Sequence, residues 1–342
     1  MKEIFMKRFL TLIGIVLCTA IMPVLFNNAP AHSQTPELIE EILDWRTQYD
    51  AIVLESASIG VELDKADIVI GEFTDGRYSA KDALARLDQL EQDIISNGTA
   101  IARKFEALPE LSPEALTLAP FLPEVLALTR QSALETSLSF AGVIDLYRAF
   151  VTSDGDGATD KLVIASLRRL IPPIELENDM VQVSLDGMTD QGTPVRNLGQ
   201  LSIYSNSILI HFLQAEILFL RELETEPEVQ SALSLLEAAE QEILKGRLRT
   251  SQTLISLSQK DSAQSAEEEA LRLRALAGFK TFETSFRIET DLAEVLTKLV
   301  ALQADGQDSL NHPDREQLLL DMETLISKRL AVNAKRVQMF QR

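Results

Sequence analysis

The residue types and spacings best able to do chemistry lie in ILIHFLQAEILFL, residues 208–220. Ten of its thirteen residues are apolar, yet it carries His211, Gln214 and Glu216. Three roles suit such a stretch: a membrane crossing, a ligand site or a core helix. Thirteen residues are too few to span a bilayer, and Glu216 lies inside the run, so a membrane helix is not expected. On a helical wheel Ser207, His211, Gln214, Arg221 and Glu222 form one polar stripe, and apolar residues cover the remaining arc of about 220°. That arc is wider than a single contact face, which predicts a central helix with neighbours on several sides.

His211 then reads as an exposed or hydrogen-bonded histidine, with ligand binding or proton transfer as the sharper alternative. Glu216 falls inside the apolar arc, between Phe212 and Leu209. A carboxylate there needs a cation from a neighbouring helix or must become neutral. It is the candidate polar anchor of a pocket, with a raised pKa if no cation reaches it. His211 and Glu216 are about 140° apart on the helix and cannot share a site on it. The Glu-x-x-His spacing of di-iron bundles is absent, since Ile208 and Ser309 stand three residues before His211 and His312.

Other candidates are weaker. SDGDGATD brings Asp154, Asp156 and Asp160 together as a calcium candidate, but glycine sits at the fourth loop position and no glutamate at the twelfth. A helix stop and cap explains the same residues. DGQDSLNHPDRE, 305–316, has Leu310 where the sharp turn of a calcium loop requires glycine. The chain contains no G-x-S-x-G, phosphate-binding glycine loop or H-E-x-x-H, and holds three histidines and one cysteine. No cofactor and no enzymatic activity are expected. The sequon at Asn97 lies mid-helix and is discounted.

From Thr324 to Arg342 the chain has bases and no acid. Lys328, Arg329, Lys335 and Arg336 are candidates for an interaction surface, opposite an apolar face with Ile326 and Leu330. The alternative is that they suit a helix C-terminus and dock on the acidic body.

The N-terminus reads as an export signal: Lys2, Lys7 and Arg8, then the apolar run 9–26, then Ala29-Pro30-Ala31 as a cleavage site. Residues 1–31 are expected to be removed, leaving a periplasmic or secreted protein; the alternative is an inner-membrane anchor over 9–26. Cys18 would leave with the signal, and with it all disulfide and thiolate chemistry. Removing Lys2, Lys7, Arg8 and Glu3 leaves 29 bases against 51 acids, a net charge of −22 in place of −20. Such a surface repels nucleic acid and anionic lipid. Membrane contact is expected only through an uncleaved N-terminus or the basic C-terminal helix.

The elements that position these residues are helices. Thr35-Pro36, Ser112-Pro113, Thr193-Pro194 and His312-Pro313 mark helix starts. Asp-Gly at 75–76, 154–155, 186–187 and 305–306 marks helix ends. From Leu38 through Trp45, Tyr49, Ile59, Leu63 and Ile70 to Phe73, apolar residues recur at four and three, broken by Ser56. A turn, TDGRY, then a capping box at Ser79 and Asp82 lead to a second such seam. Residues 36–108 therefore form a helical hairpin. The spacing predicts further helices over 123–151, 158–171, 194–223, 227–245, 249–260, 263–302 and 313–341. Pro172-Pro173 predicts a stop, and 174–193 an irregular connector between subdomains 32–173 and 194–342. Gly76 and Gly246 sit in similar stretches and suggest a shared turn type.

The expected fold is thus all-α, a bundle of long antiparallel helices with coiled-coil-like seams. The expected function is protein interaction or envelope scaffolding, with homo-oligomers possible, and the alternative is a ligand-binding or sensory bundle.

Overall fold

The computed structural model describes residues 36–56, 58–152, 160–187, 194–221, 225–259, 266–304 and 313–340. Among them there is no strand. The fold is an all-α helical bundle. The chain divides into two compact units, the first ending at Thr189 and the second starting at Asp190. The signal segment 1–31, the calcium candidates Asp154 and Asp156, and Arg342 lie outside the described residues, as do the side chains of Asp160, Leu330 and Arg336.

Unit 1 contains α1 (Pro36–Ser56), α2 (Ser58–Thr74), α3 (Ala80–Glu106), the short α4 (Pro113–Leu118), α5 (Leu122–Thr152) and α6 (Asp160–Asp186). The expected seam is the buried side of α1 and α2: Trp45, Tyr49, Ile59, Leu63, Ala66 and Ile70 all face inward. Gly76 closes α2 at φ 73°, a left-handed position that glycine adopts without strain. Ser79 caps α3, its hydroxyl accepting from the Asp82 amide and donating to the Asp82 carboxylate. These bonds hold the Asp82 carboxyl below its ordinary range.

Contacts between elements fix their directions. Tyr49 meets Thr129 and Asp67 meets Tyr147, both across 80 residues, so α1 and α2 run parallel to α5 as one rod. Arg148 reaches Asp88 and Glu91 while Arg130 reaches Glu106, so α3 and α5 are antiparallel. Thr129 with Met180 and Ser139 with Arg169 make α5 and α6 antiparallel.

Unit 2 repeats this up-and-down order with α7 (Pro194–Leu220), α8 (Glu226–Gln259), α9 (Ala266–Ala304) and α10 (Pro313–Phe340). Ser205 meets Glu289 and Phe219 meets Gln303, both across 84 residues, so α7 and α9 are parallel. Arg329 meeting Ser205 and Arg315 meeting Phe219 set α10 antiparallel to α7.

Helix α6 corrects an expectation. It runs through Pro172 and Pro173 to Asp186, where a stop and an irregular connector over 174–193 were expected. Proline at 173 cannot donate to the carbonyl of Arg169, four residues back. That carbonyl lies instead against the Ser139 hydroxyl on α5, which it shares with the Glu135 carbonyl of that helix. A neighbouring helix thus supplies the hydrogen bond that the proline withholds. Replacing the buried Ser139 by alanine should leave the Arg169 carbonyl without this partner and lower the stability of unit 1 by about 1–2 kcal/mol, measured by urea titration of the full chain. An unchanged midpoint would show that water replaces the hydroxyl.

A second correction concerns Gly246. Helix α8 is continuous from Glu226 to Gln259, so Gly246 lies mid-helix and not in a turn. A Cβ placed on it would stand 2.3 Å from the Phe286 ring of α9. Glycine is there because an aromatic ring lies against the helix backbone.

Candidate functional site

Helix α7 occupies the position its sequence predicts. Leu198, Leu201, Ile208, Leu209, Phe212, Leu213, Ala215 and Ile217 are buried, against α8 and α9. Ser207, His211 and Gln214 are half-buried. By length and composition alone, Arg196–Leu220 would suffice to cross a membrane, which the thirteen-residue window did not suggest. Half of its most apolar window is buried.

His211 is set apart from Glu216, as the wheel implies. Burial lowers the His211 imidazole below its ordinary pKa, against a smaller upward pull from Glu242. It is therefore neutral at pH 7, and its Nδ1 has no hydrogen bond among the described residues. Glu216 is half-buried and lines a crevice with Leu209, Phe212, Leu292, Met322, Ile326 and Arg329. The crevice is about 10 Å³, room for no more than one water and far below the volume an organic ligand needs.

Arg329, at the edge of this crevice, belongs to a buried polar layer of unit 2. Arg329, expected on an interaction surface, is 2% exposed and bonds through Nε to Oε1 of Glu289, which is 0% exposed, at 2.8 Å. The Arg329 terminal Nη2 donates to the Ser205 hydroxyl at 3.2 Å. Ser205 and Ser285 hydroxyls both donate to the same Glu289 oxygen, each at 3.3 Å. The buried Asn206 and Asn333 belong to the same helix faces. Arg329 points inward because it lies three residues after Ile326 and four before Asn333, on the buried face of α10. Lys328 and Lys335 are exposed as expected. Glu289 Oε2, Arg329 Nη1 and the amide atoms of Asn206 and Asn333 have no partner among the described residues. Buried polar atoms of this kind are commonly satisfied by internal water.

Sequence reasoning did not anticipate this layer. The signal was present: 202, 205 and 206, then 285 and 289, then 329 and 333, are polar positions on helix faces otherwise filled by leucine, isoleucine and phenylalanine.

Unit 1 has a smaller counterpart. The Tyr147 hydroxyl donates to Asp67 on α2. Burial pushes the Asp67 carboxyl up to about 6, with the tyrosine bond opposing it and Asp64 reinforcing it. Burial and the nearby carboxylates also raise Tyr147 well above its ordinary value. Below about pH 4 Asp67 is protonated in folded and unfolded chains alike. Between about 4 and 6 the folded chain holds the proton more tightly, so rising pH removes stability; above 6 the loss is complete. Asp67→Asn should therefore stabilise unit 1 by about 3 kcal/mol at pH 7 and by about 0.5 kcal/mol at pH 4. Denaturant titrations of both proteins at the two pH values check this; equal differences at both would refute it.

Two surfaces complete the description. On α1 and α2, Ile39, Leu43, Leu54, Val61 and Ile68 are exposed, Ile68 to 63%. The matched contacts of Tyr49 and Asp67 along α5 make α1 and α2 a single rod, and at 100° per residue the five side chains fall within about 60° of one another. Residues 36–74 contain ten acids and two bases. Both bases pair within their own helices, Arg46 with Asp50 and Lys65 with Glu62. In unit 2, an open groove of about 570 Å³ runs between α7 and α8, bordered by Asn197, Tyr204, Lys245, Arg249 and Gln252.

Among the described residues no cluster of three or more His, Cys, Asp or Glu side chains could hold a metal ion. The fold defines a class, the tandem up-and-down helical bundle. No family model, no curated protein and no solved structure matches the chain.

Proposed function

We propose that this is an exported, non-catalytic helical-bundle protein that acts by binding another protein through α1 and α2. The observation that carries the reading is the exposed apolar stripe from Ile39 to Ile68. Single exposed apolar residues are ordinary, but these five share one face of the rod over eight turns, with Arg46, Asp50 and Asp64 set among them.

Charge restricts the partner. Two copies joined stripe to stripe would bring together two acidic helical segments, each with ten acids and two bases in all. Like charges across an interface are unfavourable, so the complement is an apolar face flanked by Lys or Arg on another protein. An envelope scaffold is the setting that best suits an export signal and an acidic, cysteine-free mature chain.

The test is a photo-crosslinking residue at Val61 or Ile68 in the native cell, with Lys335 as the control position. A discrete adduct from 61 and 68 but not 335 is expected, and Leu54→Gln should weaken it. Absence of any adduct, together with a monomer in sedimentation equilibrium at all concentrations, would remove the interaction reading. N-terminal sequencing of the same material should begin at His32; a chain retaining residues 1–31 would favour the anchored form.

A further inference from the structure

The groove between α7 and α8 carries an inference independent of the stripe on unit 1. At about 570 Å³ it falls in the size range of sites for small organic ligands. Its lining is unusual for this chain. Overall the protein has 52 acids and 32 bases, yet no carboxylate lines the groove, while Lys245 and Arg249 do. From Ile243 to Lys260 the chain contains no acid at all.

Arg249 is held in place before any ligand arrives. Its Nε donates to Oδ1 of Asn197 at 3.0 Å, and the Asn197 amide nitrogen donates to the Thr253 hydroxyl at 3.1 Å. That hydroxyl donates to the Arg249 carbonyl at 2.9 Å. The ring of bonds uses Nε and fixes the guanidinium plane. The two terminal nitrogens make no hydrogen bond or ion pair among the described residues. A fixed guanidinium with two parallel donors matches the two oxygens of a carboxylate or a phosphate.

Three further features agree in sign. Lys245 adds a second cation, although Glu242 on its own helix takes one of its donors at 2.6 Å. Pro194 and Asn197 belong to the first turn of α7, so the positive end of that helix dipole lies at the groove. Tyr204 and Gln252 supply neutral hydrogen-bonding groups along the same wall.

We propose that this groove binds a small carboxylate- or phosphate-bearing molecule, with the Arg249 fork as the anion contact and Lys245 as the supporting charge. Tyr204 and Gln252 then contact the uncharged part of the ligand. The site lies wholly in unit 2 and leaves the α1–α2 stripe uncovered.

Isothermal titration of the full mature chain with citrate and, separately, with inorganic phosphate tests it at low ionic strength. Saturable binding of at least one is expected, weakened about tenfold by Arg249→Gln. Gln252→Glu, an exposed position that brings a carboxylate into the groove, should weaken it as well without disturbing the core. Lys335→Gln removes an exposed base elsewhere in unit 2 and should leave binding unchanged. Arginine side-chain resonances should show the Arg249 Nη protons slowed in exchange on binding. Saturation by citrate alone identifies a carboxylate ligand, and saturation by phosphate a phosphorylated one. The proposal is overturned if neither probe saturates, or if Arg249→Gln and Gln252→Glu bind as tightly as the unsubstituted chain.

Discussion

Arg329→Ala should destabilise unit 2 by about 3–5 kcal/mol, one of the two largest single-residue effects expected in the chain. The loss does not measure the worth of the ion pair. It comes from leaving the Glu289 carboxylate buried with only the Ser205 and Ser285 hydroxyls as donors. Glu289→Ala should cost a similar amount, by stranding the guanidinium instead. The double replacement Glu289→Leu with Arg329→Met should lie within about 2 kcal/mol of the unsubstituted protein, because removing both charges also removes both desolvation penalties. Differential scanning calorimetry of the three variants makes the comparison, with a drop in Tm of about 10 °C expected for each single variant. Additive losses in the double variant would mean that the pair is not the unit of energy here.

The second large effect has the opposite sign from propensity. Alanine favours helix over glycine by about 1 kcal/mol, so a mid-helix Gly→Ala change ordinarily stabilises. At Gly246 the new Cβ would meet three ring atoms of Phe286 at 2.3 to 2.7 Å, and Phe286 is fully buried. The ring cannot withdraw without displacing α9. Gly246→Ala should therefore lose about 1–3 kcal/mol, as overpacked cores do. Gly71 provides the control. Nothing lies within 4 Å of a Cβ placed there, so Gly71→Ala should gain about 0.5–1 kcal/mol. Urea unfolding of both variants settles the comparison; two gains of equal size would mean that the α8–α9 contact is loose.

These two sites show where sequence reasoning reaches its limit. Helix starts at Pro36, Pro113, Pro194 and Pro313 were legible because the chemistry is local: a missing N–H does no harm in a first turn. The ends at Thr74 and Asp186 were legible for the same reason, since glycine follows closely after each. Pro172-Pro173 and Gly246 were misread because their meaning depends on another helix. Ser139 rescues the first, and Phe286 explains the second. Nothing within a few residues of either position signals this.

The candidate sites divide in the same way. The inward placement of Glu216 was visible from its own helix, but the volume beside it was not. Arg329 was placed on a basic surface because four neighbouring bases suggested one. Its position on the seam with Met322, Ile326 and Asn333 pointed inward, and that was the stronger signal. The groove at Arg249 needs α7 and α8 to be set against each other in a particular register, which periodicity does not supply. The exposed stripe could have been found by asking which apolar residues of α1 and α2 the seam leaves over.

The up-and-down order of both units has a consequence for how the chain comes to be folded. In each unit every long helix packs first on its immediate successor, and the one further prominent pairing joins the first rod to the third. Low contact order of this kind goes with folding in microseconds to milliseconds. Synthesis delivers only about 5–20 residues each second. Unit 1 has its full set of helices once Asp186 has left the ribosome, while most of unit 2 is still to be added. It can therefore reach its folded state seconds before unit 2 is complete. A chain that is to be handled as an extended strand has to be engaged before the last helix of unit 1 is complete.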